Sequence, residues 1–256
     1  MRKTTFFLLS AALFFGGIIL FSFKLFVLGL IPLSCLFLLY FLNKGYRSSV
    51  SLFIFFLLGL LIYQIGSAFM YKLSISQETK VLINRSFLLF ILTSTIISLK
   101  ISGQKIFLYS HLPNWNNQII MPFHQIKVAR FLLFGLIGSC MILLPALFKE
   151  TSYIKSLFLF GILFALINAT LEEVLWRGVM LSSLKRNVST LYAVLITSVG
   201  FGLLHISIGI PVMLSILFSF GGLFYAIVVI KSKSIYPSIV FHMLINLGMV
   251  FNGWII

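Results

Sequence analysis

The feature that most constrains this chain is a recurrence of apolar runs about twenty residues long, separated by short stretches that hold most of its charge. A helix needs about 20 apolar residues to cross a bilayer, and only helices and closed barrels can satisfy their backbone polar groups there. Nine runs meet that ruler, at roughly 6–23, 25–42, 50–71, 85–99, 131–148, 157–184, 189–207, 212–230 and 236–255. The fourth is short and begins at Arg85, so it can lie partly in the interface and leave eight. The expectation is an all-α, polytopic transmembrane helical bundle of about 8–9 spanning helices. Composition agrees: 61% of the residues are hydrophobic and 9% charged, far from the balance of a soluble domain.

The net charge of +15 raises the question of nucleic acid. The basic residues stand in ones and twos between apolar runs, which is the pattern of loops flanking membrane helices and argues against a nucleic-acid partner. With the N-terminus inside, the inner segments hold Arg2, Lys3, Lys44, Arg47, Lys100, Lys105, Lys127, Arg130, Lys185, Arg186, Lys231 and Lys233. The outer ones hold Lys24, Lys72, Lys80, Arg85, Lys149 and Lys155. That bias predicts a cytoplasmic N-terminus. The basic start and apolar core of the first run resemble a signal peptide, but the run is long and no small-x-small site follows, so it reads as an uncleaved span. Cys35 and Cys140 lie in apolar runs and imply neither a disulfide framework nor a metal cluster.

The longest polar connection, residues 100–130, mixes basic residues with Tyr109 and Trp115 and reads as an interfacial loop or short surface helix. Nothing in the first 150 residues carries recognisable chemistry. The chain therefore divides into N-terminal helices (1–150) and a chemistry-bearing helical part (151–256) within one membrane unit.

That chemistry centres on Leu171–Gly178, LEEVLWRG. The chain has four acidic residues, Glu78, Glu150, Glu172 and Glu173, and two of them are adjacent inside the sixth apolar run. An ionisable side chain near the centre of a membrane helix costs roughly 2.5–3.5 kcal/mol, so its default reading is a functional site. Helical spacing puts Glu173 and Arg177 four apart in the acid-first order of a favourable ion pair. Glu172 points elsewhere, near Asn168 and Trp176, is left without a local cation, and is the candidate general base. A network in which both glutamates and Arg177 only tie helices together is credible for Glu173 and Arg177, and weak for Glu172. The seventh run holds His205, one turn after Phe201. The last holds His242 and Asn246 on one face, with Ser238 a turn before. Such polar stripes serve either inter-helix hydrogen bonds or a pair of donors aimed at one point, as an oxyanion hole requires.

EExxxR (Glu172, Glu173, Arg177), FxxxH (Phe201, His205) and HxxxN (His242, Asn246), in that order on successive membrane helices, resemble the CPBP family of CAAX prenyl proteases and bacteriocin-processing or immunity proteins, also called Abi proteins. The resemblance covers about residues 150–250. It implies an intramembrane endopeptidase. In that scheme Glu172 activates a water that His205 helps to hold, His242 and Asn246 stabilise the oxyanion, and Glu173 with Arg177 supports the helix. The substrates it implies are membrane-associated or lipidated peptides and membrane proteins. Small size without soluble appendages points to a bacterial plasma membrane.

A zinc version of the same activity would use Glu172, His205 and His242 as three ligands with an open fourth position. Against it, the chain has no HExxH motif and no spare aspartate to support a ligating histidine. The expectation is a reaction without a cofactor. A non-catalytic immunity or membrane-interaction protein is the alternative outside the enzymes, and the complete set of polar residues speaks against it. A transporter would call for a repeat with matching broken helices, which the sequence lacks.

Overall fold

The computed structural model describes residues 3–106, 108–121 and 124–256. Arg2, counted above with the inner basic residues, lies outside the described residues, as do Phe107, Pro122 and Phe123 of the polar connection. In chain order the elements are α1 (Lys3–Ser22), α2 (Phe26–Leu42), α3 (Arg47–Met70), α4 (Gln77–Ser86), α5 (Leu88–Ile101), β1 (Gln118–Met121), β2 (His124–Lys127), α6 (Val128–Cys140), α7 (Thr151–Glu173), α8 (Ser182–Asn187), α9 (Thr190–Leu204), α10 (Val212–Ser232) and α11 (Tyr236–Phe251). The chain is 81% helical, which makes it an all-α membrane protein. Among the described residues seven helical stretches are long and apolar enough to cross a membrane, and α2 and α11 are shorter apolar helices. These nine correspond one to one with the nine apolar runs.

Four local features differ from the sequence expectation, each for a physical reason. The fourth stretch is not short: Gln77–Ile101 is a candidate span of 25 residues, interrupted at Phe87 between α4 and α5. Arg85 is therefore not an outer loop residue but a buried side chain in the last turn of α4, and it leaves the outer set of the charge count. The fifth run is α-helical only to Cys140 and continues as a 3₁₀ helix, Met141–Phe148. Pro145 accounts for this, because it removes an α-type donor and its ring opposes the carbonyl four residues back. Among its described residues the polar connection has no surface helix; β1 and β2 pair antiparallel, with Ile119 opposite Ile126 and Gln118 opposite Lys127. Finally, α-helical bonding ends at Glu173, and Val174–Leu181 is π-helical. In that stretch the backbone bonds span i to i+5.

The chain forms two compact units, each assembled from three stretches: residues 1–69, 87–108 and 175–226, and residues 70–86, 109–174 and 227–256. The change of role expected near residue 150 falls inside the second. In the first unit α3 meets α5 along a seam of small residues. Ser94 Oγ donates to Phe55 O at 2.6 Å, and the Ser51 and Ser98 hydroxyls lie 2.8 Å apart. Gly59 lies one turn beyond Phe55 along the same seam. A Cβ there would lie 2.6 Å from Ile91 Cα and 2.8 Å from Phe90 O, so only glycine allows the approach. In hydrocarbon such backbone proximity and short polar bonds replace the hydrophobic drive that water would supply.

In the second unit α7 is packed by α4 and by α11, and α11 also packs on α6 and the 3₁₀ helix. Phe160, Phe164 and Val250 form a buried cluster, closed by Val81, Leu82 and Leu157. This cluster joins three helices in one register. Arg85 lies one turn beyond Val81 on α4. Glu172 lies two turns beyond Phe164 on α7. Asn246 and His242 lie one and two turns before Val250 on α11.

The α3–α5 seam predicts that Gly59→Ala lowers the thermal midpoint of the detergent-solubilised protein, at a cost of about 1–3 kcal/mol for overpacking. Gly16→Ala, whose Cβ meets nothing within 4 Å, is the matched control and leaves the midpoint unchanged or higher.

Candidate active site

Three helices of the second unit bring polar side chains together where the chain is otherwise apolar. Glu172 and Glu173 end α7 and are 1% and 0% exposed, and His242 and Asn246 on α11 are 4% exposed. Glu173 Oε1 and His242 Nδ1 lie 3.1 Å apart. Glu172 Oε2 lies 3.6 Å from Nε2 of the same ring. The two adjacent glutamates thus reach both nitrogens of one imidazole. Helical divergence of about 100° between neighbours, which suggested separate tasks, is what lets them meet nitrogens that point in different directions. With Glu173 as a carboxylate, His242 donates through Nδ1, which fixes the ring and turns Nε2 towards Glu172.

Glu172 also has a cation, supplied by a different helix: Arg85 Nη1 lies 3.7 Å from Oε1. Sequence spacing, which exposes partners on one helix only, left this residue out of the site. The signal that could have found it is its place at the edge of an apolar run, seven residues after Glu78 on the amphipathic stretch 77–86. Neither Glu172 contact is short enough for a hydrogen bond, and Oε2 has no hydrogen-bond partner among the described residues. The Asn246 side chain is similarly placed: its Nδ2 is buried and makes no hydrogen bond among the described residues. Ser238 Oγ is spent locally, donating to Ile235 O at 2.8 Å.

The other two expected site residues belong to the first unit. His205 closes α9 and opens a 3₁₀ turn, His205–Ile208, that ends at Gly209. Gly209 has φ 91°, a left-handed conformation that favours glycine. The His205 Nδ1 lies 2.9 Å from the carbonyl of Phe201, which can only accept, so Nδ1 carries the proton and Nε2 is the acceptor nitrogen. The ring packs 4.6 Å from that of Phe218 and 5.0 Å from that of Phe201. The FxxxH spacing therefore orients the histidine through the backbone of its own phenylalanine. Arg177, fully buried, donates from Nη2 to Gly222 O at 2.8 Å. Its guanidinium lies 4.7 Å from the Phe201 ring centre and 5.2 Å from that of Tyr225.

Among the described residues no group of three or more His, Cys, Asp or Glu side chains is gathered as a ligand set. One sequence argument against a metal does lose its force, because Glu173 supplies the carboxylate support for His242 that seemed to be missing.

Residues 154–248 match the family model described as type II CAAX prenyl endopeptidase Rce1-like. The matched stretch contains Glu172, Glu173, Arg177, Phe201, His205, His242 and Asn246, and it excludes Arg85. No curated protein and no solved structure matches the chain.

The aromatic seat of Arg177 predicts a stability effect that charge alone does not carry. Arg177→Lys keeps the charge but loses the planar face, and the thermal midpoint falls by the equivalent of about 1–2 kcal/mol. An unchanged midpoint would show that the stacking contributes nothing.

Proposed function

We propose, from the premise that residues 154–248 belong to the type II CAAX prenyl endopeptidase Rce1-like family, that this integral membrane protein is an intramembrane endopeptidase whose base is Glu172. The observation that carries the reading is the Glu172 carboxylate, with Oε2 unbonded, facing His242 Nε2 at 3.6 Å on a ring held from behind by Glu173. Asn246, one turn along the same helix face, has an unspent donor.

The steps follow from these groups. Glu172 takes a proton from a water, and the water oxygen attacks the peptide carbonyl carbon. The carbonyl oxygen becomes an oxyanion, which His242 Nε2–H and Asn246 Nδ2–H stabilise as donors aimed at charge that develops only in the transition state. In this scheme His242 offers Nε2–H to the oxyanion while Nδ1 stays paired with Glu173. Glu172 then gives its proton to the leaving nitrogen, the C–N bond breaks, and a carboxylic acid and an amine result. His205 is carried over from the family motif as a residue that helps to hold the water, its acceptor Nε2 suited to that task. Glu173 and Arg177 are carried over as the pair that supports the helix. Excluding bulk water strengthens each of these interactions. The substrate class is a membrane-associated or lipidated peptide or protein, cleaved without a metal. A bacterial plasma membrane with the N-terminus in the cytoplasm is the proposed setting.

The test compares membrane-associated peptides from cells carrying wild type and Glu172→Gln. Products present only with wild type are expected and identify the scissile bond; identical peptide sets from both would remove Glu172 as the base. Asn246→Ala slows formation of those products about 10²–10³-fold, the usual loss for one oxyanion donor. Purified protein keeps its activity after chelation. Stoichiometric zinc together with chelator-sensitive activity would overturn the metal-free reaction.

A further inference from the structure

We propose that Arg85 is a positioning residue of this site: it pairs with Glu172 from a separate helix and holds the carboxylate in the orientation that presents Oε2 to His242. The inference rests on the reading of Glu172 as the base, and it adds a residue that the family match, confined to 154–248, does not contain.

Four observations point to it. The first is burial: Arg85 is 8% exposed and Glu172 1%, so two charges have been withdrawn from water together. A buried charge without a partner is strongly unfavourable, and an arginine is almost never buried alone. The second is geometry. Arg85 Nη1 lies 3.7 Å from Glu172 Oε1, close enough for a strong Coulomb interaction at low dielectric and too far for a hydrogen bond. The pair compensates charge while leaving the carboxylate lone pairs available to a water. The third is the asymmetry of the carboxylate. Arg85 attends to Oε1 and His242 to Oε2, so the two cationic or donor groups fix the plane of the carboxyl group between them. A base held in one orientation keeps the reacting atoms aligned, and a misplacement of about 1 Å can cost 10²-fold in rate. The fourth is the way α4 delivers the side chain. Arg85 occupies the last turn of α4, which stops at Ser86, so the guanidinium sits at the negative end of the helix dipole. Val81 and Leu82, one turn earlier, lock α4 onto α7 through the cluster with Phe160 and Phe164. Packing therefore sets the position of Arg85 relative to Glu172. The break at Phe87 belongs to this arrangement, since it places a helix terminus where an uninterrupted helix would have none.

A purely structural role would also explain a buried ion pair, and the experiment separates the two. The full chain is prepared in detergent as wild type, Arg85→Met, Arg85→Lys, Glu172→Gln and the double variant Arg85→Met with Glu172→Gln. Thermal midpoints test the pairing without reference to activity. Arg85→Met lowers the midpoint in the wild-type background and has little effect in the Glu172→Gln background, where no charge is left uncompensated. Equal effects in both backgrounds would overturn the pairing. Product formation from the membrane peptides that distinguish wild type from Glu172→Gln then tests positioning. At saturating substrate Arg85→Met reduces the turnover rate about 10²-fold, with KM little changed, and Arg85→Lys restores at least a tenfold part of the loss. Wild-type turnover in Arg85→Met would overturn the positioning role while leaving Glu172 as the base. If instead no peptide distinguishes wild type from Glu172→Gln, the base reading falls and positioning falls with it, whereas the thermal cycle still decides whether Arg85 and Glu172 are coupled.

Discussion

The interaction on which the second unit depends is the bracketing of His242 by two adjacent buried carboxylates. Glu172 and Glu173 sit in a part of the chain with no other acid within reach, inside helices that are apolar on almost every other face. Bare carboxylates there would be prohibitively costly. The imidazole meets one through Nδ1 at 3.1 Å and the other through Nε2 at 3.6 Å, and Arg85 approaches the second from α4. Polar groups that each would be costly alone become tolerable as a connected set. The set is also unfinished in a useful way: Glu172 Oε2 and Asn246 Nδ2 are buried and make no hydrogen bond among the described residues. Networks that serve only to join helices tend to be satisfied throughout.

Packing makes that arrangement repeatable. The cluster of Phe160, Phe164 and Val250 with Val81 and Leu82 fixes the register of α4, α7 and α11 within two turns of the polar groups. Gly248 lets α11 come close to the 3₁₀ helix, where a Cβ would lie 3.0 Å from Ile142 O. Directly after Glu173 the backbone changes to π-helical bonding through Leu181, a rare geometry that recurs at functional sites. In the first unit the same logic holds on a smaller scale, with Phe201 O orienting His205 and the Phe201 and Tyr225 rings seating Arg177.

Much of this was legible in the sequence, because hydrocarbon imposes simple rules. Nine apolar runs became nine apolar helices, and Glu172, His242 and Asn246 stood out as polar residues where polarity is expensive. What could not be read was tertiary. Spacing finds partners on one helix, so the contact of Glu173 with His242, 69 residues away, leaves no trace in any pattern. Arg85 was taken for a loop cation, since a basic residue at the edge of a weak apolar run looks the same whether it flanks a helix or ends one. The π-helical stretch has no residue signature of its own. The 3₁₀ segment did have one, in Pro145, and the pairing of β1 with β2 was hidden by a mixed composition that suits a surface helix equally well.

The most direct measurement of the central claim is the protonation of the His242 ring, read by ¹⁵N NMR of histidine-labelled protein in lipid nanodiscs, with His242→Gln used to identify its signals. The account predicts a hydrogen-bonded proton at Nδ1 whose resonance shifts in Glu173→Gln, and an Nε2 resonance that responds to Glu172→Gln. A His242 ring whose nitrogens are both indifferent to the two substitutions would contradict it.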